Sequence, residues 1–286
     1  MFKRNSLTAL VGAAAIGLLG MAHAATVQSV DFSPTATNNG AGAIGTAADF
    51  SAVGFQSNLT SSFTILGTSG VSAVSETGFI NLTSFQDASA NPVVSGVNSN
   101  YTIGATFSLS GFGLWSGNVI NLNPAGASLN VNLYANGLAN DPSTGTLIGT
   151  ASLDSAAPAV AFAAAFGSLA SGSTGPALTS LTASLFFTPV ANYTGPGPTG
   201  GFFQAPFPLN IELSIGNAGG NTTNTSYSVS GTTVTIVNPS AGANQGTANV
   251  TFVSAVPEPG ALSLAGLALV GLAVASRRKT KLQQAA

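Results

Sequence analysis

Apolar and polar residues alternate along several stretches of the chain, which is the pattern of β-strands that bury one face. The clearest stretch is "PLNIELSIG" at 208–216, where Leu or Ile occupies every second position and Asn, Glu and Ser lie between them. The same period of two recurs at 101–111, 128–137, 145–154, 225–238 and 247–256. Since strands with one polar face are typical of antiparallel sheets, we predict an all-β body built as an antiparallel β-sandwich or jelly roll.

The connections between these stretches are rich in turn-forming residues. "ANGLANDPSTG" at 135–145 predicts a turn, and Gly231 divides the stretch around it into a predicted hairpin. The apolar stretch 158–170 is compatible with either a short helix or a buried strand. The Gly- and Pro-rich stretch at 192–208 predicts a loop whose aromatic side chains turn inward, namely Phe202, Phe203 and Phe207.

All basic residues lie at the two ends of the chain. The six are Lys3, Arg4, Arg277, Arg278, Lys279 and Lys281. The intervening body, residues 25–254, carries seven Asp and Glu residues and no Lys or Arg, so its formal charge is −7. A body without cations has no electrostatic attraction for phosphate backbones, which excludes nucleic-acid binding as a function class. The chain has no Cys, so burial rather than disulfide bonds must stabilise this body.

Residues 1–24 have the three-part form of a secretory signal peptide. Two basic residues precede an apolar stretch at 7–21, and Ala22 and Ala24 provide the small residues that a signal peptidase accepts. The apolar stretch is shorter than the roughly 20 residues of a membrane-spanning helix, which disfavours a retained anchor. We therefore predict cleavage between Ala24 and Ala25.

Residues 255–286 predict a membrane-associated segment in three parts. It begins with Val256, Pro257, Glu258 and Pro259, continues as an apolar run at 261–275 and ends in the basic cluster Arg277, Arg278 and Lys279. The run suffices for a single marginal membrane-spanning helix if the long basic side chains extend to the interface. Because basic residues favour the cytoplasmic side, the body is predicted to lie outside the cytoplasm.

The three ordered parts of this segment resemble the C-terminal sorting segment of PEP-CTERM exoproteins. The resemblance covers about thirty residues, from Val256 to the basic cluster. It implies a secreted protein of a Gram-negative bacterium, which passes through an inner-membrane intermediate and is processed there by an exosortase. Such proteins accompany exopolysaccharide, so the implied destination is the cell surface or extracellular matrix, and the implied role lies in biofilm or floc formation.

The body carries a second resemblance. Its order of "FGLWSG", "LNVNLYANGLANDPS" and "GTLIGTASLD" before the Pro-Glu-Pro tail is similar to flocculation-associated PEP-CTERM exoproteins. This resemblance covers roughly 150 residues without a sharp motif. It implies a role in holding cells and exopolysaccharide together.

Catalysis is disfavoured by the residues that the body lacks. Without His, Cys, Lys or Arg, it can form no Ser-His-Asp triad, thiol nucleophile, Schiff-base lysine or arginine clamp. A glycosidase with two carboxylates remains chemically possible, but the seven acidic residues are scattered along the chain. We expect a protein that is not an enzyme and needs no cofactor, with calcium as the open alternative.

Two kinds of binding site remain open. Asp141, close to Asn136 and Asn140, offers the oxygen atoms that calcium prefers, although Asn and Asp are also ordinary turn residues. Trp115 and Tyr134 are candidates for stacking on a sugar ring, although Trp115 lies in an apolar context typical of a core residue. We expect a structural or adhesive protein; the alternative is a calcium- or aromatic-dependent carbohydrate-binding module that cross-links matrix polysaccharide.

Trypsin is expected to leave the processed body intact. Trypsin cleaves after Lys and Arg, and neither residue occurs between Ala25 and Ser276. Mass spectrometry of the denatured, exported protein after tryptic digestion should therefore return one fragment of more than 200 residues. A fragment that begins far from Ala25 or ends far from Ser254 would show that the predicted boundaries of the body are wrong.

Overall fold

The computed structural model describes residues 27–36, 43–153, 160–190, 201–204, 209–216, 226–238 and 246–254. The predicted signal peptide, the predicted sorting segment and Phe207 lie outside the described residues. Within the described residues no helix is long and apolar enough to cross a membrane.

The described residues form thirteen strands and one short 3₁₀ turn at Pro142–Thr144. The strands are β1 (Val30–Phe32), β2 (Phe50–Ala52), β3 (Gly54–Leu66), β4 (Val71–Gln86), β5 (Ile103–Ser116), β6 (Val119–Ala135), β7 (Thr146–Leu153), β8 (Val160–Phe166), β9 (Thr174–Pro189), β10 (Leu209–Gly216), β11 (Ser226–Ser230), β12 (Thr233–Asn238) and β13 (Gly246–Ser254).

Eleven of these strands form one antiparallel sheet that closes on itself. The strands β3, β4, β5 and β6 pair in sequence order, β6 pairs with β7 and β8, and both of these pair with β9. On its other edge β9 pairs with β10 and β11, which pair with β13 and β12 respectively. Both β12 and β13 pair with β3, and this closes the ring.

Around the ring, the eleven strands occupy eight strand positions. Five positions hold one strand each, and the other three are each shared by two shorter strands that follow one another along the same line. Against β9, the register runs from Leu153↔Leu185 at the end of β7 to Val160↔Ala183 at the start of β8. In the same way β10 and β11 share a second position, and β12 and β13 share a third. Of the five unbroken strands, β3, β6 and β9 therefore run past both members of a split position, whereas β4 and β5 pair only with unbroken strands.

The predicted antiparallel all-β class is confirmed, but the two-sheet arrangement is corrected. A sandwich or jelly roll needs two facing sheets, whereas here the ladder of the eleven strands continues from β3 around the ring and returns to β3. The described body is a closed, barrel-like antiparallel sheet, with β1 and β2 forming a separate two-stranded sheet. Closure of the ring leaves both edges of each position paired, which a sandwich does not achieve.

Alternation along the strands places one set of side chains inside the ring. In β10, Leu209, Ile211 and Leu213 are buried, while Glu212 and Ser214 are exposed, as their alternation predicted. The ambiguous stretch at 158–170 contains the strand β8 rather than a helix, and its alternate residues are buried inside the ring. Gly231 lies in the turn of the predicted hairpin, with a φ of 61° that favours glycine.

A cluster of phenylalanine rings fills one end of the ring. Phe32 from β1 is fully buried at its centre, with ring centroids 4.8 to 5.7 Å from its neighbours. These neighbours are Phe50, Phe85, Phe202, Phe203 and Phe252. The predicted inward orientation of Phe202 and Phe203 is confirmed, since both are buried. The phenylalanine cluster thus joins the two-stranded sheet to the interior of the ring.

Candidate functional site

Trp115 packs against the core rather than presenting a free ring. Its Nε1 donates a hydrogen bond of 2.9 Å to Ser72 Oγ, and its ring centroid lies 5.7 Å from that of Phe166. The side chain is half-buried and contacts the hydrophobic core. A ring that is half-buried against the core leaves only part of its surface for stacking on a sugar.

Tyr134 lies on the outer face of β6, as its alternation predicted. It is half-buried and follows a register shift between β6 and β7. Tyr134 pairs across with Gly104 near the start of β5, whereas Trp115 lies near the end of that strand. Eleven positions along a strand correspond to roughly 35 Å, so the structure does not bring the two predicted aromatic residues into one site.

The polar atoms around Asp141 hold a loop together. Asp141 Oδ1 accepts hydrogen bonds from the backbone N–H and the hydroxyl of Ser143, which caps the 3₁₀ turn. Asn136 has a left-handed backbone, and its Nδ2 donates to the carbonyl of Ile44 at 2.8 Å. Among the residues that the structure describes, no three acidic or histidine side chains converge. Calcium at Asp141 stays a prediction.

Glu76 is an acidic side chain inside the ring that the sequence analysis did not single out. It points inward from β4, is only 7% exposed and has its carboxyl group hydrogen-bonded to the side chain of Ser61. Burial raises the pKa of Glu76 to about 7, while the hydrogen bond from Ser61 acts in the opposite direction. The alternation of Ser72, Val74 and Glu76 along β4 would have placed it on the inner face.

A shallow groove lies on the outer face of β9, β10 and β13. Its volume is about 440 Å³, within the range of small-molecule sites. Six polar residues line it and are here called the outer groove: Thr182, Ser184, Glu212, Ser214, Asn249 and Thr251. The register places them in two rows across the three strands, Ser184–Glu212–Thr251 and Thr182–Ser214–Asn249. Glu212 occupies the middle of its row and is exposed.

Phe186 stands on the same outer face as the groove. It follows Ser184 by two positions on β9 and is 48% exposed. Its partner on β10 is Asn210, whose buried Oδ1 has no hydrogen-bond partner. An exposed aromatic ring therefore lies beside the polar rows of the outer groove. The sequence analysis missed Phe186 because it assigned no strand to residues 174–189.

Comparison with curated proteins and with solved structures finds no match to the chain. A match is found at the end of the chain, where the sequence predicted a sorting segment. It includes Pro257, Glu258 and Pro259, and runs through the apolar stretch to Lys279. Residues 255–279 match the family model described as "PEP-CTERM protein-sorting motif", and the chain therefore carries the sorting motif of a PEP-CTERM exosortase substrate.

Proposed function

We propose that this protein acts, without catalysis, as a structural or adhesive component of the exopolysaccharide matrix in biofilm or floc formation. The observation that carries the proposal is the sorting motif at 255–279, which implies export through the membrane, processing by an exosortase and delivery to the cell surface of a Gram-negative bacterium. The motif is joined to a body of charge −7 that has no basic residue. The body lacks the residues of most catalytic machinery, which supports a role in which its surface matters more than chemistry.

The closed sheet supports the proposal that the body is located outside the cell. In the described ring every position is paired on both edges, so its backbone groups are not presented to other chains. The core contains no cysteine, and its burial of many apolar side chains supplies the stability that secreted domains often take from disulfide bonds. Residues 25–254 also contain no Cys and no Met, the two side chains that oxidation changes most readily.

A carbohydrate-binding module that cross-links matrix polysaccharide is the second candidate. The outer groove favours it, because hydroxyl, amide and carboxylate groups lie together there next to an exposed aromatic ring. The two candidates differ in one property. A structural component needs an abundant and durable body, whereas a binding module needs a saturable site.

Replacing Pro257, Glu258 and Pro259 by alanine in the producing bacterium is expected to abolish sorting. The altered chain should accumulate at full length in the membrane fraction and disappear from the matrix, because the exosortase no longer recognises its substrate. Immunoblots of membrane, surface and matrix fractions measure this, and the settling rate of flocs measures the consequence. Changing Gln283 and Gln284 to alanine, beyond the matched motif, is the control and should leave both readouts unchanged.

Two results would contradict the proposal. If the variant reached the matrix as efficiently as the unaltered chain, the motif would not direct its sorting. In the second case the variant is not sorted, yet flocs and biofilm form as before, both with the variant and in a strain that lacks the protein. The motif would then direct sorting as proposed, but the proposed role in the matrix would be wrong.

A further inference from the structure

We propose that the outer groove binds a neutral polysaccharide, with Phe186 stacking on a sugar ring and Glu212 accepting hydrogen bonds from sugar hydroxyls. The inference rests on the second candidate above, the carbohydrate-binding module, since it names the site through which the body would contact the matrix. It assigns binding to residues other than Trp115, Tyr134 and Asp141.

The register gives the site its dimensions. Three adjacent strands place the ends of each polar row about 10 Å apart, since neighbouring strands are separated by about 4.8 Å. Phe186 lies two positions beyond Ser184, and Thr182 two positions before it, which spans about 13 Å along β9. A surface of this length accommodates a short segment of a chain polymer.

The groups in the groove match the chemistry of sugars. Each hydroxyl of Thr182, Ser184, Ser214 and Thr251 can both donate and accept, as sugar hydroxyls do, and the Asn249 amide offers both a donor and an acceptor. The carboxylate of Glu212 only accepts, so it favours hydroxyl donors with which it forms strong, charge-assisted hydrogen bonds. The exposed methyl group of Ala161 adds apolar surface to the lining.

Phe186 combines an exposed aromatic ring with polar neighbours. Among the large apolar side chains described as exposed, Phe112 and Phe186 are the aromatic ones. Phe112 lies elsewhere, on β5, paired with Ala73 of β4 and near the exposed Leu114. Phe186 instead lies next to hydroxyl and carboxylate groups, and this is the combination that sugar recognition requires.

Charge restricts the polysaccharide to a neutral one. The body has no Lys or Arg to pair with uronate, sulfate or phosphate groups, and Glu212 in the middle of the groove would repel them. An acidic polysaccharide could approach the groove only through a bridging cation. The dependence of binding on the charge of the polysaccharide is therefore a direct consequence of the proposal.

Affinity electrophoresis tests the site with the exported protein recovered from the producing bacterium. Native gels contain dextran, yeast mannan, the neutral fraction of that bacterium's own exopolysaccharide, or acidic alginate. We expect at least one neutral polysaccharide to retard the protein in a saturable manner, and alginate to leave its mobility unchanged. Phe186→Ser and Glu212→Gln should each weaken the retardation by about tenfold.

Phe112→Ser is the matched control, because it removes an equally exposed ring at 56% exposure from a different part of the outer surface. It should bind like the unaltered protein. All three substitutions lie on the outer face, so each variant should show the thermal unfolding midpoint of the unaltered protein, and this is measured alongside.

The outcomes separate the groove from the wider function. If a neutral polysaccharide retards the protein, but the Phe186 and Glu212 variants are retarded as strongly as the unaltered protein, the outer groove is not the binding site. Binding of the body to polysaccharide would still be supported. If no neutral polysaccharide retards it, or only alginate does and EDTA removes the effect, the groove proposal is overturned. The sorting experiment above then judges the proposed function independently, because it scores location and floc settling rather than sugar binding.

Discussion

Replacing Phe32 by alanine is expected to lower the free energy of unfolding of the body by about 3–5 kcal/mol. Phe32 is fully buried and contacts five other phenylalanine rings, so the substitution removes apolar burial and leaves a cavity among them. The residue also belongs to β1, so the contacts that fix the two-stranded sheet to the ring are lost with it. Domains are stable by only about 5–15 kcal/mol, so this one change removes a large share.

Urea unfolding followed by intrinsic fluorescence measures the effect on the exported protein. Phe112→Ala is the matched control, because the same side chain is removed from an exposed position, and a change within about 0.5 kcal/mol is expected. A Phe32 variant as stable as the Phe112 variant would show that the phenylalanine cluster does not hold β1 and β2 against the ring.

The body is expected to lose about 2.5 kcal/mol of stability as the pH rises from 5 to 8, because of Glu76. In the folded protein burial raises the pKa of Glu76 to about 7, whereas its ordinary value in an unfolded chain is 4.5. Between these values the folded state holds a proton that the unfolded state has released. Stability contributed by the bound proton is therefore complete at low pH and declines as the pH passes through 7.

Glu76→Gln is expected to remove this pH dependence, since glutamine fills the same space without ionising. Thermal unfolding midpoints measured from pH 5 to 8 should be nearly constant in this variant and should exceed those of the unaltered protein at pH 8. Glu212→Gln changes an exposed glutamate and serves as the control, which should keep the original profile. The body contains no His, whose titration would otherwise fall in this range. An unaltered profile in the Glu76 variant would exclude Glu76 as its cause.

The strands were predictable from the sequence, but their closure was not. Alternation alone identified β10 and assigned Glu212 to its outer face, because period-two burial is a local property. Closure depends on the pairing of β3 with β12 and β13, which are far away along the chain. No local pattern specifies that partner, and a sandwich with the same alternation is equally consistent with the sequence.

The candidate site was predictable only in part. Phe186 could have been found, since Leu181, Ala183 and Leu185 alternate inward and leave Phe186 on the wet face of β9. The neighbours that turn it into a site are contributed by other strands, and the pairing of Glu212 with Ser184 and Thr251 needs the register of three strands. Trp115 and Tyr134 were selected because of residue type, which does not reveal how much of each ring its surroundings cover.

Closure of the ring also has a consequence for the timing of export. The strand β3 begins at Gly54, but its partner β13 ends at Ser254, directly before the matched motif begins at residue 255. In a chain that leaves the cytoplasm from its N-terminus, residues 54–59 of β3 lack this partner until β13 has crossed, since the earlier strand β12 pairs only with residues 61–66. In the order of the sequence, the matched motif thus follows directly on the last strand that the ring needs.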